Sequence, residues 1–283
     1  MMGLPIVRSL HKNGFEVAVA TRNPSKANGV FPSDVPVVGF DYQTIESAIE
    51  VVKGFDAVHI NLPSGPTFES CFSVGLRAMK AIAAAIKNSK VKRVSFLSGA
   101  TVSDSEEFPP VRAKYLMEQE LINSNVPYTL WRSTWFMESL GLTYRWGVFV
   151  LIGNGRTPIH WLAGDDFGDM VSRSFNTDEA KNVVFYPYGS ECVSLKNAII
   201  RYRGITRPFA PIVPVPIDLL IKITGAIRYW EGWYAGQLMK HLEVDPEPGD
   251  PTETKRIVGE AKITINQFAK SHRKKLSPSD FSR

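Results

Sequence analysis

The chain has 283 residues, 44% apolar and 22% charged, with 33 lysines and arginines against 28 aspartates and glutamates. That balance excludes disordered, collagen-like and coiled-coil classes and fits one extended domain, or a domain with a smaller appendage. Two cysteines, Cys71 and Cys192, make neither a disulfide framework nor a zinc site alone, and a well-mixed net charge of +5 does not call for nucleic acid.

In chain order, Leu4, Val7 and Leu10 fall three apart and predict a helix over 3–12, with Pro5 tolerated in its first turn and Asn13-Gly14 as its stop. Residues 15–21 are a short β-rich run, followed by the turn Asn23-Pro24-Ser25. The alternation repeats: strand 35–39, helix 44–53, strand 56–62 stopped by Pro63, helix 72–88, strand 91–97, helix 111–123 and strand 128–131. Strands and helices alternating over short connections specify an α/β fold, a parallel sheet with helices on both faces. After residue 140 the rhythm loosens, with strands at 159–162 and 183–188, helices at 165–175 and 194–202, an extended proline segment at 208–216, and one or two helices over 217–241. The expected division is 1–140 and 141–283, the second region packed on the first. Residues 1–10 lack a signal-peptide pattern, and 208–227, the most apolar stretch, is broken by Pro211, Pro214 and Pro216. A cytoplasmic protein with no membrane partner is expected.

Open parallel sheets bind ligands beyond the carboxyl ends of their strands. Those ends here are Thr21-Arg22, Leu62-Pro63, Ser98-Gly99 and Arg132-Ser133-Thr134. Gly3, just before the first helix, is where a glycine-rich phosphate turn would finish, although a helix-start glycine reads the same way. Arg22 occupies the position where NAD-binding folds carry an acidic residue for the ribose hydroxyls. A guanidinium there, with Lys26, suits the 2′-phosphate of NADP, while a solvated pair in a turn is the plain alternative.

The run Gly3–Leu10, Asn13-Gly14 and 15–27 resembles the opening of atypical short-chain dehydrogenase/reductases of the NmrA-like type. Residues 91–99 are similar to their fifth strand, 126–140 (Val-Pro-Tyr-Thr-Leu-Trp-Arg-Ser-Thr-Trp-Phe-Met-Glu-Ser-Leu) to their segment after it, 161–175 to a later helix, and Gly249-Asp250-Pro251-Thr252 to a turn near their end. The resemblance spans nearly the whole chain. It implies a Rossmann-like doubly wound sheet with a small irregular C-terminal substrate region, and a nicotinamide cofactor, NADP in preference to NAD. Gly3 matches the last glycine of the family's phosphate turn; the preceding strand and the other two glycines have no counterpart in this sequence.

The resemblance also puts the active-site lysine at Lys114 and cofactor contacts at Gly3, Arg22, Lys26, Leu62, Pro63, Ser98, Lys114 and Thr134, with no metal site. Four residues before the lysine, where the classical short-chain enzymes hold a proton-donating tyrosine, stands Pro110. Some relatives lack the tyrosine and rely on the lysine or bound water, while others have no known catalysis. Tyr115 is adjacent to Lys114 but roughly 100° round the helix. Ser98 reads equally as a strand-end hydroxyl closing a turn. The implied function is an NADP-dependent oxidoreductase acting on a small apolar carbonyl or alkene, as monomer or homodimer. Two alternatives stay open: a non-catalytic NADP(H)-sensing regulatory protein, and a truncated form that binds no dinucleotide. Among other candidates, His59 reads as a core histidine, His160 as isolated, and Asp165-Asp166 as a helix cap rather than a metal pair.

Overall fold

Strand and helix alternate as the apolar pattern requires. The computed structural model describes residues 2–42, 44–62, 67, 69–105, 108–244 and 247–275. The elements run α1 (Gly3–Lys12), β1 (Val19–Thr21), α2 (Pro24–Ala27), β2 (Val37–Gly39), α3 (Ile45–Val52), β3 (Ala57–Ile60), a π-helical stretch Ser70–Leu76 continuing into α4 (Arg77–Lys87), β4 (Arg93–Leu97), α5 (Pro109–Ile122) and β5 (Tyr128–Trp131). Then follow α6 (Ser139–Leu142), β6 (Tyr144–Arg145), β7 (Val148–Ile152), β8 (Pro158–Trp161), α7 (Gly164–Phe175), β9 (Val183–Phe185), β10 (Glu191–Ser194), α8 (Leu195–Thr206), β11 (Ile212–Val215), α9 (Ile217–Ala226), α10 (Trp230–Val244), α11 (Thr252–Val258) and α12 (Ile265–Lys275).

The chain divides into two compact units, each assembled from three segments. The first takes Met1–Ser133, Phe167–Tyr186 and Gly249–Gly259; the second takes Thr134–Asp166, Pro187–Pro248 and Glu260–Arg283.

In the first unit β3, β4, β5 and β9 form an all-parallel sheet in the order β3-β4-β5-β9, confirming the α/β expectation. β4 is buried along its whole length, as a central parallel strand covered on both faces must be. Val94, Phe96 and Leu130 pack there with Met79, Ile86, Met117 and Leu121 from α4 and α5, all essentially without solvent contact. Arg93 is the exception: its buried guanidinium donates to the carbonyls of Ser174 (2.8 Å), Ala180 (3.1 Å) and Thr177 (3.2 Å), closing the carboxyl end of α7.

β1 and β2 pair parallel as a separate two-stranded sheet, shorter than the expected runs 15–21 and 35–39. Pro36 has no N–H to give, so β2 begins only after it, and its carbonyl still accepts from Val19 N (2.8 Å). α1 is held by Asn13, whose side-chain amide donates to Ser9 O (2.8 Å), and by Gly14 at φ +82°. It packs on α7, where Gly168 leaves room for the carbonyl of Pro5: a Cβ at 168 would stand 2.7 Å from that oxygen.

The second unit holds the pairs β10–β8 (antiparallel) and β11–β7–β6, with a core of Phe149, Trp161, Leu195, Ala198, Tyr202, Ile265 and Ala269 joining strands to α8 and α12.

Candidate dinucleotide site

The two sheets of the first unit border one cavity of about 1420 Å³, lined by Gly3, Ile6 and Leu10 of α1, by residues 17–22 around β1, and by Ala57 and His59 of β3. In a parallel ladder alternate residues bond the same neighbour. Val19 N donates to Pro36 O and Thr21 O accepts from Phe40 N, so Ala20 directs its backbone groups away from β2. Asp56 O accepts from Lys92 N, which turns Ala57, His59 and Asn61 away from β4 by the same alternation. Among the described residues no strand pairs with either edge. The cavity is therefore bounded by sheet edges as well as by side chains.

Gly3, Arg22 and Lys26 all border this cavity, so three predicted cofactor contacts come together. Asn23 caps α2, its Oδ1 accepting from Lys26 N at 3.3 Å, which fixes the turn that carries both cations. Arg22 lies over the Tyr42 ring at 5.2 Å. At the start of α1 no side chain caps the helix, and beside Gly3 there is open space where a Cβ would point.

Lys114 lies elsewhere in the unit, on α5. Its ammonium donates to the carbonyls of Leu62 (2.7 Å) and Leu97 (2.9 Å), at the carboxyl ends of β3 and β4, and sits 4.7 Å from the Phe96 ring centroid. Burial lowers its pKa to about 8, against the opposing pull of Glu118 and Cys71. The Cys71 thiol is itself pushed up to about 11 by burial. One turn on, the fully buried Glu118 carboxylate takes both Nε (3.2 Å) and Nη2 (2.7 Å) of Arg132. Pro110 is buried in the first turn of α5, a position proline favours, and carries no proton to donate.

Ser98 is buried with its Oγ unpartnered among the described residues, while its N–H donates to Trp131 O (2.9 Å). Leu62 contributes its carbonyl to Lys114; Pro63 lies outside the described residues. Thr134 falls in the second unit, where its hydroxyl donates to His160 O (2.5 Å) and ties the chain to β8.

His59 is half-buried and borders the cavity. Trp131 Nε1 donates to Ser95 Oγ (2.7 Å), and the same Oγ is hydrogen-bonded to His59 Nδ1 (2.9 Å). Nε2 has no partner among the described residues, and burial holds the pKa near 3, so the ring is neutral.

His160, expected to be isolated, is held by Glu247, which accepts from its backbone N and bonds its Nδ1, both at 2.6 Å, under a stacked Tyr188 ring. Asp165 and Asp166 stand in the first turn of α7, where Asp166 also accepts from the backbone of Lys262 (2.9 Å) and Ile263 (2.8 Å), and Glu138 receives the Gly164 N–H.

The arrangement suits a dinucleotide. Two cations at the end of β1 match a phosphorylated ribose, and an uncapped helix start beside a glycine admits a second phosphate. The class of protein follows: the NAD(P)H-binding family matches residues 1–148, more than half of the chain, and this protein belongs to it.

Its relatives include the photosystem II assembly factor Ycf39 of Cyanophora paradoxa, 25% identical over 251 residues that cover 86% of this chain and 78% of the relative. Ycf39 of Trieres chinensis is 23% identical over 235 residues, covering 81% and 74%. Similar solved folds include Citrobacter sp. triphenylmethane reductase complexed with NADP(H) (TM-score 0.74, 13% identity, 96% of both chains). An NADPH-dependent quinone oxidoreductase from Escherichia coli complexed with NADPH is also similar (TM-score 0.70, 16% identity, 96% of both chains). At such identities these likenesses establish the Rossmann-type fold alone.

Proposed function

We propose that this chain binds NADP(H) beside β1 through Arg22 and Lys26, and that binding rather than turnover is its main work. The observation that carries this reading is the state of the inherited catalytic helix. Pro110 stands in place of a proton donor, and two of the Lys114 N–H groups are taken up by the carbonyls of Leu62 and Leu97. A lysine so held braces the ends of β3 and β4. The two Ycf39 relatives bear the name of assembly factors, which agrees with a dinucleotide fold put to a binding task.

A second reading keeps the enzyme: an NADP-dependent reductase of a small apolar carbonyl or alkene. Its support is the Lys114 pKa of about 8, close enough to neutrality for an amine to take or yield a proton. A bound nicotinamide would supply the hydride; Lys114 would hold the proton. In this reading Ser98 contacts the cofactor.

The readings part in one experiment. NADPH consumption is followed with quinones, aldehydes and enones at saturating cofactor, alongside direct cofactor binding. The binding reading expects saturable NADPH binding with no acceptor-dependent consumption. Consumption that falls at least about tenfold in Lys114→Ala, with binding retained, establishes the reductase instead.

A further inference from the structure

In the second unit two loop tips meet at one end of the β11–β7–β6 sheet. The β6–β7 hairpin turns through Trp146 and Gly147, with Arg145 opposite Val148. β11 runs parallel along the other side of β7, and Phe149 N donates to Pro211 O (2.8 Å). The segment 207–211 that leads into β11 therefore arrives at the same sheet end as the hairpin turn. Arg207 links the two tips, its guanidinium 4.1 Å from the Tyr144 ring centroid, and Arg203 Nε donates to Ala210 O to hold the second tip.

These tips carry Trp146 and Phe209, 86% and 96% exposed, the most exposed large apolar side chains among the described residues. Large aromatics in water gain nothing for the fold. The backbone shows that Trp146 does not serve the turn either. Trp146 (φ +52°) and Gly147 (φ +83°) are both left-handed, as in a two-residue hairpin turn where asparagine followed by glycine is the relaxed choice. A bulky side chain at positive φ is strained. Strain and exposure thus fall on one residue that asparagine would relieve of both.

The segments that build the tips carry one sign of charge. No aspartate or glutamate occurs from Ser139 to Ala163 or from Leu195 to Ile217, the segments that build both tips, whereas Arg145, Arg203 and Arg207 flank them. Protruding aromatics among arginines complement a surface that is anionic outside and apolar just beneath.

The geometry points to a peripheral membrane contact: Trp146 and Phe209 enter the headgroup layer of an anionic bilayer while Arg145, Arg203 and Arg207 face its phosphates. This is a surface contact, and no helix among the described residues is long and apolar enough to cross a membrane.

The test is co-sedimentation of the full chain with phosphatidylcholine vesicles and with vesicles of phosphatidylcholine and phosphatidylglycerol in equal parts. Binding to the anionic vesicles is expected, weakening with salt and nearly absent on the neutral ones. Phe209→Ser and Trp146→Asn should each lower the partition by about tenfold or more. Trp146→Asn discriminates most sharply, because the relaxed turn should keep or raise Tm while vesicle binding falls. The inference is overturned by equal partition of wild type and both variants, by no binding to anionic vesicles, or by equal binding to neutral ones.

Discussion

Single residues here carry legible titration signatures. Lys114 has a pKa of about 8 in the fold against an ordinary 10.5. Between those values the unfolded chain holds the proton that the folded chain has released, so stability should rise as pH climbs from 8 to 10.5. The gain, roughly 3 kcal/mol at most, is absent below pH 8, and Lys114→Met should flatten the slope in urea titrations. A slope unchanged in the variant would place the effect elsewhere. His59 works in the opposite range: with the folded pKa near 3 and the ordinary value 6.5, acid protonates the unfolded state first. Stability therefore falls through this group from pH 6.5 towards 3. His59→Phe should be more stable relative to wild type at pH 4 than at pH 7, and a constant difference would contradict the neutral ring. The Glu118–Arg132 pair predicts a loss of about 3–5 kcal/mol for Glu118→Ala, because the change strands a partly buried guanidinium. Chemical denaturation measures it directly.

At the scale of elements, the open edges are the feature to probe. The slot-facing amides of Ala20, Ala57 and His59 meet no strand among the described residues, whereas β4 is paired on both sides and buried throughout. Hydrogen exchange should be faster at those three amides than at Val94 and Phe96, and matched protection would mean that the edges are covered in solution. The sequence made the first unit's strands and helices readable because buried parallel strands are near-continuous apolar runs and their helices have strong periodicity. The extent of the short β1–β2 ladder was not readable, since pairing depends on the partner strand as well as on β propensity. The second unit was legible in part: β8, α8, the extended segment holding β11, and the helices α9 and α10 fall where the sequence placed them, and the rest was hidden. β6 has two residues, β7 alternates between buried and half-buried positions, and α12 lies in polar sequence whose stability comes from packing on distant segments. The partnership of His160 with Glu247 joins residues far apart in the chain, which no local pattern announces.

Across the whole molecule, the sequence pointed to an NAD(P)-binding Rossmann-like fold, and the family and structural likenesses establish it. Of the predicted site, Gly3, Arg22 and Lys26 border one cavity, Leu62 and Lys114 meet at the ends of β3 and β4, and Thr134 braces β8 in the second unit. Residue type and strand position revealed the cations, but not that the Lys114 ammonium would face two carbonyls, because that depends on where β3 and β4 end in space. The claim that joins these observations is NADP(H) recognition by Arg22 and Lys26. Calorimetric titration with NADPH and NADH tests it most directly, in the wild-type chain and in Arg22→Asp. NADPH should bind at least about tenfold more tightly than NADH to the wild type, and the variant should lose or reverse that preference. Equal affinities in the wild type, or a preference untouched by Arg22→Asp, would contradict it.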